Sequence, residues 1–354
     1  MERKRVRKKE IDYFPSGSTL LNCACSDNPF GAYKPGTIVT VPGSSASGKT
    51  ALLLTAMAEA SISKKYRDYD FFHDDCEEAM SFDIKKIFGR KLAEMIQPPG
   101  GFDKEGDPVN SNTIQDFKNF VLNKCKNENP FLYVLDSFDS LTSEEELKKE
   151  YAKAIKAAKT DEAIKAIAGS YKTEKAKVAG EILRMIKKNL KKTRSILFII
   201  QQERDKINTG PFSRGSKKTT SGGRAPFFYS SHQVWLNKIK TLKATNDRKT
   251  GQLVMAKVTK NKITGKLREV VFPIYYDYGV DDIGSCVDFL INEGWWKKKE
   301  RTIICDDLDI AGSRSTLIKN IEENNLENEL KKITGKCWLQ IEEETKLNRK
   351  RRFG

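Results

Sequence analysis

The sequence predicts an α/β fold: a core on a mixed, mainly parallel sheet, then a small, mainly helical C-terminal domain. Strand-like runs recur at Thr37–Val41, Tyr69–His73, Phe131–Leu135 and Ile196–Ile200, with helical stretches such as Ile182–Leu190 between them. That alternation implies parallel strands covered by helices. After Gln202 the pattern changes. Runs at Gln233–Lys240, Gln252–Lys260 and Arg268–Tyr275 are separated only by the short polar turns ATNDRKTG and NKITGK, so they extend the sheet as antiparallel strands. The third observation is a G-x-x-x-x-G-K-T loop, Gly43 to Thr50, set between the first strand and an apolar helix-forming run, Ala51–Ala58.

That strand–loop–helix setting is the one a phosphate-binding P-loop requires. Glycines at 43 and 48 allow consecutive N–H groups to face a phosphate at the positive end of the following helix. The loop assigns Gly43, Ser44, Ser45, Ala46, Ser47, Gly48, Lys49, Thr50 and Ala51 to ATP. Lys49 reaches the β- and γ-phosphates, and the Thr50 hydroxyl serves Mg2+. In FLYVLDSFDS, Asp136 ends an apolar strand where such folds present a carboxylate to Mg2+ through its water shell. In YDFFHDDCEEAM, four carboxylates, Asp74, Asp75, Glu77 and Glu78, compete to orient and deprotonate the attacking water. In ILFIIQQERDKIN, the γ-phosphate sensor is Gln201 or Gln202.

The 354 residues suffice for a full α/β core with a smaller satellite. A chain 38% hydrophobic and 32% charged is globular in composition, and no apolar run approaches a membrane span of about 20 residues. The N-terminal MERKRVRKKE has no apolar segment behind its charges, so it does not read as a secretory signal, and the expectation is a cytoplasmic protein with no membrane partner. Seven cysteines, with no C-x-x-C pair, read as reduced and mostly buried thiols. The two histidines, His73 and His232, read as packed or edge residues rather than catalysts. The formal net charge of +16 favours polyanionic partners, nucleic acid first.

Residues 1–12 form a basic arm, 13–282 the ATPase core and 283–354 the small C-terminal domain with its basic tail. A polar insertion at about 143–177 opens on a capping box, Ser143 and Glu146, and its Ala/Lys/Glu content favours helix.

The chain resembles the RecA-type recombinases, including the RecA-like proteins of phages, over roughly Phe14 to Lys297. FPSGSTLLNCA is similar to the family's lead into its first strand. DCE is similar to its Asp-x-Glu, which selects Glu77 as the base, and QQER to its Asn-Gln-x-Arg, which selects Gln202. KKTTSGGRAPFFYSSHQVWL resembles the end of the second DNA-binding loop, with Phe228 at a subunit interface. TKNKITG resembles the family's Lys-Asn-Lys-Ile, which implies that Lys260 and Lys262 reach the neighbouring subunit's nucleotide. The position of the adenine-stacking tyrosine falls on Ile84, and the family's long N-terminal helix and acidic tail have no counterpart here.

A loop at about 203–226 makes separate sense as a DNA contact. Arg204, Lys206, Arg214, Lys217, Lys218 and Arg224 carry charge, Thr219 and Thr220 carry hydroxyls, and Gly222 and Gly223 let backbone amides approach phosphate. The resemblance puts an apolar wedge at Ile207. The implied protein is a DNA-dependent, Mg2+-requiring ATPase that forms a helical filament, or a ring, on single-stranded DNA. It would pair that strand with duplex DNA in recombination and repair, with a single-strand-binding or mediator protein as partner. The alternatives are a motor of the hexameric-helicase class and a non-catalytic accessory protein that binds ATP and DNA.

Overall fold

The computed structural model describes residues 12–78, 82–146, 148, 168–205, 218–220, 223–350 and 352. The strands are β1 Thr37–Gly43, β2 Asp70–Asp75, β3 Ile96–Gln97, β4 Phe131–Asp136, β5 Ile196–Asp205, β6 Lys218–Thr220, β7 His232–Lys243, β8 Lys249–Asn261, β9 Glu269–Tyr275 and β10 Gly279–Val280. Among the described residues they form one sheet in the order β10-β9-β8-β7-β1-β5-β4-β2-β3, with β6 paired to β5. Strands β7, β1, β5, β4, β2 and β3 run parallel. The hairpins β7-β8 and β8-β9 are antiparallel, as the short polar turns predict.

Alternate residues of the central strands feed two cores, the period-2 consequence of a strand buried on both faces. Val39, Val41, Leu132, Val134, Phe198 and Ile200 pack on one face with Leu52, Leu53 and Met57 of the helix after the P-loop. Ile38, Tyr133, Leu135, Leu197 and Ile199 pack on the other with Phe117, Ile182 and Ile186. The helices are α1 Thr19–Ser26, α2 Lys49–Ile62, α3 Ile84–Phe88, α4 Arg90–Met95, α5 Ile114–Lys126, α6 Ala168–Thr193, α7 Ala225–Tyr229, α8 Asp282–Asn292, α9 Arg314–Glu323 and α10 Glu327–Glu344.

The C-terminal segment is mainly helical, but it also contains a small antiparallel sheet absent from the sequence reading: β11 Lys297–Lys299, β12 Thr302–Cys305 and β13 Ile310–Gly312. Strands this short and polar leave no period-2 signal. Helix α10 spans two cores, sending Trp338 to the sheet and Leu330, Ile333 and Cys337 to the C-terminal cluster. Arg268 grips Glu342 with two bonds of 2.7 and 2.9 Å, and Lys266 joins Glu342 at 2.8 Å and Asp27 at 2.7 Å. The Arg268 and Lys266 bonds outweigh the cost of partial burial and hold the Glu342 carboxyl down at about 2.

The capping box of the insertion is present, with Ser143 N donating to Glu146 at 2.8 Å and Glu146 N to the Ser143 hydroxyl at 3.1 Å. The rest of the predicted insertion lies mostly outside the described residues or in the first turns of α6. Cys23, Cys25, Cys286, Cys305 and Cys337 are buried. No described helix is long and apolar enough to cross a membrane.

His232 is packed, as predicted. Its Nε2 lies 3.0 Å from Asn261 Oδ1, and its Nδ1 lies 3.2 Å from the Ser231 hydroxyl. Burial pushes its pKa down to about 4, against the opposing hydrogen bonds. The folded state therefore holds His232 neutral while the unfolded chain protonates near pH 6.5. The resulting stability is complete above about pH 6.5 and is lost as the pH falls toward 4, a change of roughly 3 kcal/mol. Urea unfolding of the wild type and His232→Gln between pH 7.5 and 4 should show their stability difference shrinking by that amount; parallel curves would show that His232 does not titrate in this window.

Candidate functional site

The parallel register brings the chemistry to one edge. Gly43 pairs with Gln202 across β1 and β5, and Asp75 with Asp136 across β2 and β4, so the carboxyl ends of four strands open on one crevice. The crevice is a cavity of about 290 Å3 whose lining includes Ser45 to Ala51, Glu77, Asp136 and Gln202.

The two loop glycines serve different physical needs. Gly48 caps α2 with φ at +87°, and a Cβ there would meet Ile274 Cδ1 at 2.6 Å. Gly43 is required by close approach rather than by φ: its Cβ would lie 2.5 Å from the Leu236 carbonyl. The second left-handed residue of the loop is Ala46, at φ 53°. Lys49 is buried, and its Nζ donates to the carbonyls of Gly43 at 3.2 Å and Ser44 at 2.6 Å. Burial pushes its ammonium below the ordinary lysine range, and Asp136, Glu77, Asp139 and Glu203 pull it back. The Ser47 hydroxyl is buried without a hydrogen-bond partner among the described residues. A tight loop of N–H groups, a lysine leaning on loop carbonyls and a spare hydroxyl fit a bound phosphate chain.

The Thr50 hydroxyl donates to Asp136 Oδ2 at 2.6 Å. Hydroxyl and carboxylate oxygens side by side are the hard donors that suit Mg2+. His73, read from the sequence as packed, is indeed buried, yet its Nε2 lies 3.6 Å from the same Asp136 oxygen.

Geometry separates the four candidate carboxylates. Asp74 is fully buried, accepting from Ser111 N at 2.7 Å, the Ser111 hydroxyl at 2.6 Å and the Tyr133 hydroxyl at 2.5 Å. Its burial raises its pKa while those bonds oppose the rise. Of the four, Glu77 lines the cavity. Its Oε1 accepts from the Ser137 hydroxyl at 2.5 Å and from Gln202 Nε2 at 3.0 Å. Gln201 is buried and does not line the cavity, so Gln202 is the member of the pair that does.

Ile84, at the position the resemblance gives to the adenine-stacking tyrosine, is half-buried at the start of α3 and packs against the sheet core. The apolar side of the cavity includes Phe82, Ile87, Phe88, Ile274, Tyr275 and Tyr276. Gln252, Tyr275, Tyr276, Ser137 and Asp139 were missed because their place in the site comes from strand pairing and turns, which no local motif announces.

The predicted DNA loop is partly a ladder. Strand β5 runs on to Asp205 and β6 returns beside it, pairing Arg204 with Thr219 and Glu203 with Thr220. Arg204 is half exposed and lies 3.3 Å from Asp139. Gly223 takes φ +67°, and Arg224 is exposed. Lys206, Ile207, Arg214, Lys217 and Gly222 lie outside the described residues, as does the side chain of Lys218.

Lys260 and Lys262 stand away from this chain's own cavity. Lys260 Nζ donates to the Phe227 and Phe228 carbonyls and sits 4.6 Å from the centre of the Phe227 ring. Burial pushes its pKa down to about 8, and Lys262 and Lys187 push the same way. Lys262 is exposed and lines a small surface pocket with Lys34 and Lys187, while Phe228 is 67% exposed.

Comparison with known proteins is consistent with this arrangement. Residues 132–281 match the model of the RecA N-terminal domain. The chain is 28% identical to Protein RecA of Treponema denticola over 316 residues, 89% of this chain and 67% of that one. It is 27% identical to Protein RecA of Mycoplasma mobile, over 89% of this chain and 83% of that one. Protein RecA of Streptomyces ambofaciens is 26% identical over 339 residues, 95% of this chain and 81% of its own.

The buried Asp74 and the cavity-lining Glu77 should differ in what their mutation costs. Asp74→Ala strands three donors and should cost about 3 kcal/mol or more in denaturant unfolding. Glu77→Gln should cost under about 1 kcal/mol, because its site is open to water. Equal losses for the two would mean that Glu77 is part of the scaffold.

Proposed function

We propose that this chain, which is similar to the RecA N-terminal domain over residues 132–281 and to Protein RecA of several bacteria, is an ATP-dependent DNA recombinase that polymerises on single-stranded DNA and promotes pairing with a homologous duplex. One observation carries the reading. The Gln202 amide bonds to Glu77 inside the nucleotide cavity, while two residues further along β5 Arg204 stands at the mouth of the basic segment. A single strand thus spans the site of hydrolysis and the DNA contact.

Residues 43–51 bind the phosphates through backbone N–H groups, and Lys49 turns from the loop carbonyls to the β- and γ-oxygens. Thr50 and, through its water shell, Asp136 would hold Mg2+, which would supply positive charge to the phosphate oxygens. Glu77 takes the proton of the attacking water, and the Ser137 and Gln202 bonds fix the orientation of its carboxylate. Lys260 and Lys262 serve the nucleotide of the adjacent subunit. Their placement outside their own cavity supports this, as does the mutual repulsion of Lys187, Lys260 and Lys262, which an anion from a neighbour would relieve. Hydrolysis then switches the polymer between DNA-gripping and DNA-releasing states.

Electron microscopy with single-stranded DNA and a slowly hydrolysed ATP analogue, run beside a strand-exchange assay, tests the reading. Helical filaments with strand exchange are expected. Rings that unwind forked duplex would assign a motor instead, and exchange only beside a second recombinase would assign an accessory protein.

Lys49→Ala should abolish both hydrolysis and ATP-dependent tight DNA binding. Glu77→Gln should lose hydrolysis by at least about 100-fold yet remain on DNA, because nucleotide binding survives the loss of the base. Wild-type turnover by Glu77→Gln would move the base to Asp75 or Glu78.

For the lysines, Lys262→Ala should keep nucleotide binding while DNA-stimulated turnover falls by roughly a thousandfold. Mixing it with Lys49→Ala should restore partial activity where an intact loop meets intact lysines. Near-normal turnover by the Lys260/Lys262 double alanine would rule out action across subunits.

A further inference from the structure

Asp139 lies three residues beyond Asp136 in the turn that leaves β4. Its Oδ2 accepts the Gln202 backbone N–H at 2.7 Å, and its Oδ1 lies 3.3 Å from Arg204 Nη2. The Asp139 side chain is 6% exposed and that of Arg204 is 51% exposed. Gln202 and Arg204 are two residues apart in β5, close enough for one carboxylate to reach the backbone N–H of the first and the guanidinium of the second. The same Gln202 presents its amide to Glu77 at 3.0 Å. Glu77, Gln202, Asp139 and Arg204 therefore form a continuous polar chain from the cavity to the surface.

We propose that Asp139 is a positioning residue that couples the nucleotide cavity to DNA by holding Arg204 until a DNA phosphate takes it. The proposal rests on the reading of residues 203–226 as DNA-binding. Carboxylate and phosphate oxygens compete for the same planar guanidinium donors. While Asp139 holds Arg204, the end of β5 is pinned to the turn after β4. Once Arg204 turns to a phosphate, the buried carboxylate loses a counter-charge and leans harder on the Gln202 N–H. That shift changes where the Gln202 amide sits against Glu77.

The test uses the full chain, an oligo-dT strand and ATP, with the variants Asp139→Asn, Asp139→Glu, Arg204→Gln and the Asp139→Asn/Arg204→Gln double. Asp139→Asn should bind oligo-dT about fivefold tighter, because Arg204 no longer has a rival carboxylate. Its DNA-stimulated and basal kcat should converge while KM for ATP stays within about twofold, and Asp139→Glu should restore part of the stimulation. Arg204→Gln should bind oligo-dT more weakly but raise basal kcat several-fold, since it releases Asp139 without DNA. The double variant should bind DNA no better than Arg204→Gln alone.

If Arg204→Gln weakens DNA binding but leaves basal kcat unchanged, and Asp139→Asn keeps wild-type affinity and stimulation, Asp139 merely ties the turn and the proposal falls while the DNA reading stands. If Arg204→Gln leaves oligo-dT affinity unchanged, the proposal and the DNA role of Arg204 fall together. The Arg204→Gln arm decides the matter even if Asp139→Asn does not fold.

Discussion

The turn Asp136-Ser137-Phe138-Asp139 is the constraint on which the site depends. Asp136 receives the Thr50 hydroxyl, Ser137 donates to Glu77, and Asp139 holds both the Gln202 N–H and Arg204. Phe138 fixes the turn from beneath: its ring is fully buried among Leu135, Leu141 and Ile199, and its N–H bonds to the Ile200 carbonyl at 3.0 Å. Burying such a ring is worth about 1.5–3 kcal/mol, and here it sets the height of three polar side chains at once. Three strand ends and the P-loop helix thus converge on four consecutive residues.

Charge is distributed to match. The chain carries +16 overall, yet the crevice is lined by Asp136 and Glu77 around a buried Lys49. The carboxylates facing Lys49 offset part of the burial that lowers its pKa, while its Nζ is bonded to the Gly43 and Ser44 carbonyls. Lys34, Lys187, Lys260 and Lys262 gather elsewhere, around the end of β8, with no carboxylate paired to them among the described residues. A cluster of like charges costs stability in the isolated chain and is relieved by an anionic partner.

The C-terminal segment has its own core and is also joined to the rest of the chain by ion pairs and hydrogen bonds. Glu342 binds Arg268 and Lys266, Lys331 binds Glu59 of α2, and Asp282 receives the N–H and hydroxyl of Thr19 at 2.6 and 2.7 Å. These pairs reach from α10 and α8 to the β8–β9 turn, α2 and α1. They seat the segment on the side of the sheet that carries the P-loop helix.

Local periodicity and spacing determined a great deal. Apolar runs marked the parallel strands, polar turns marked the antiparallel extension, and G-x-x-x-x-G-K-T placed Lys49 and Thr50, because a phosphate loop is encoded in consecutive residues. Asp136 was legible for the same reason, as the last residue of a recognisable strand. The choice among Asp74, Asp75, Glu77 and Glu78 was open to spacing alone; resemblance pointed to Glu77, and the fold shows Asp74 spent on Ser111 and Tyr133. Tertiary structure alone decided the partners of Asp139, the lining by Gln252, Tyr275 and Tyr276, the packing of Ile84 on the sheet core and the placement of Lys260 and Lys262 outside the cavity lining. Each of those depends on which strand lies beside which, and strand order is set by burial across the whole sheet rather than by any stretch of sequence.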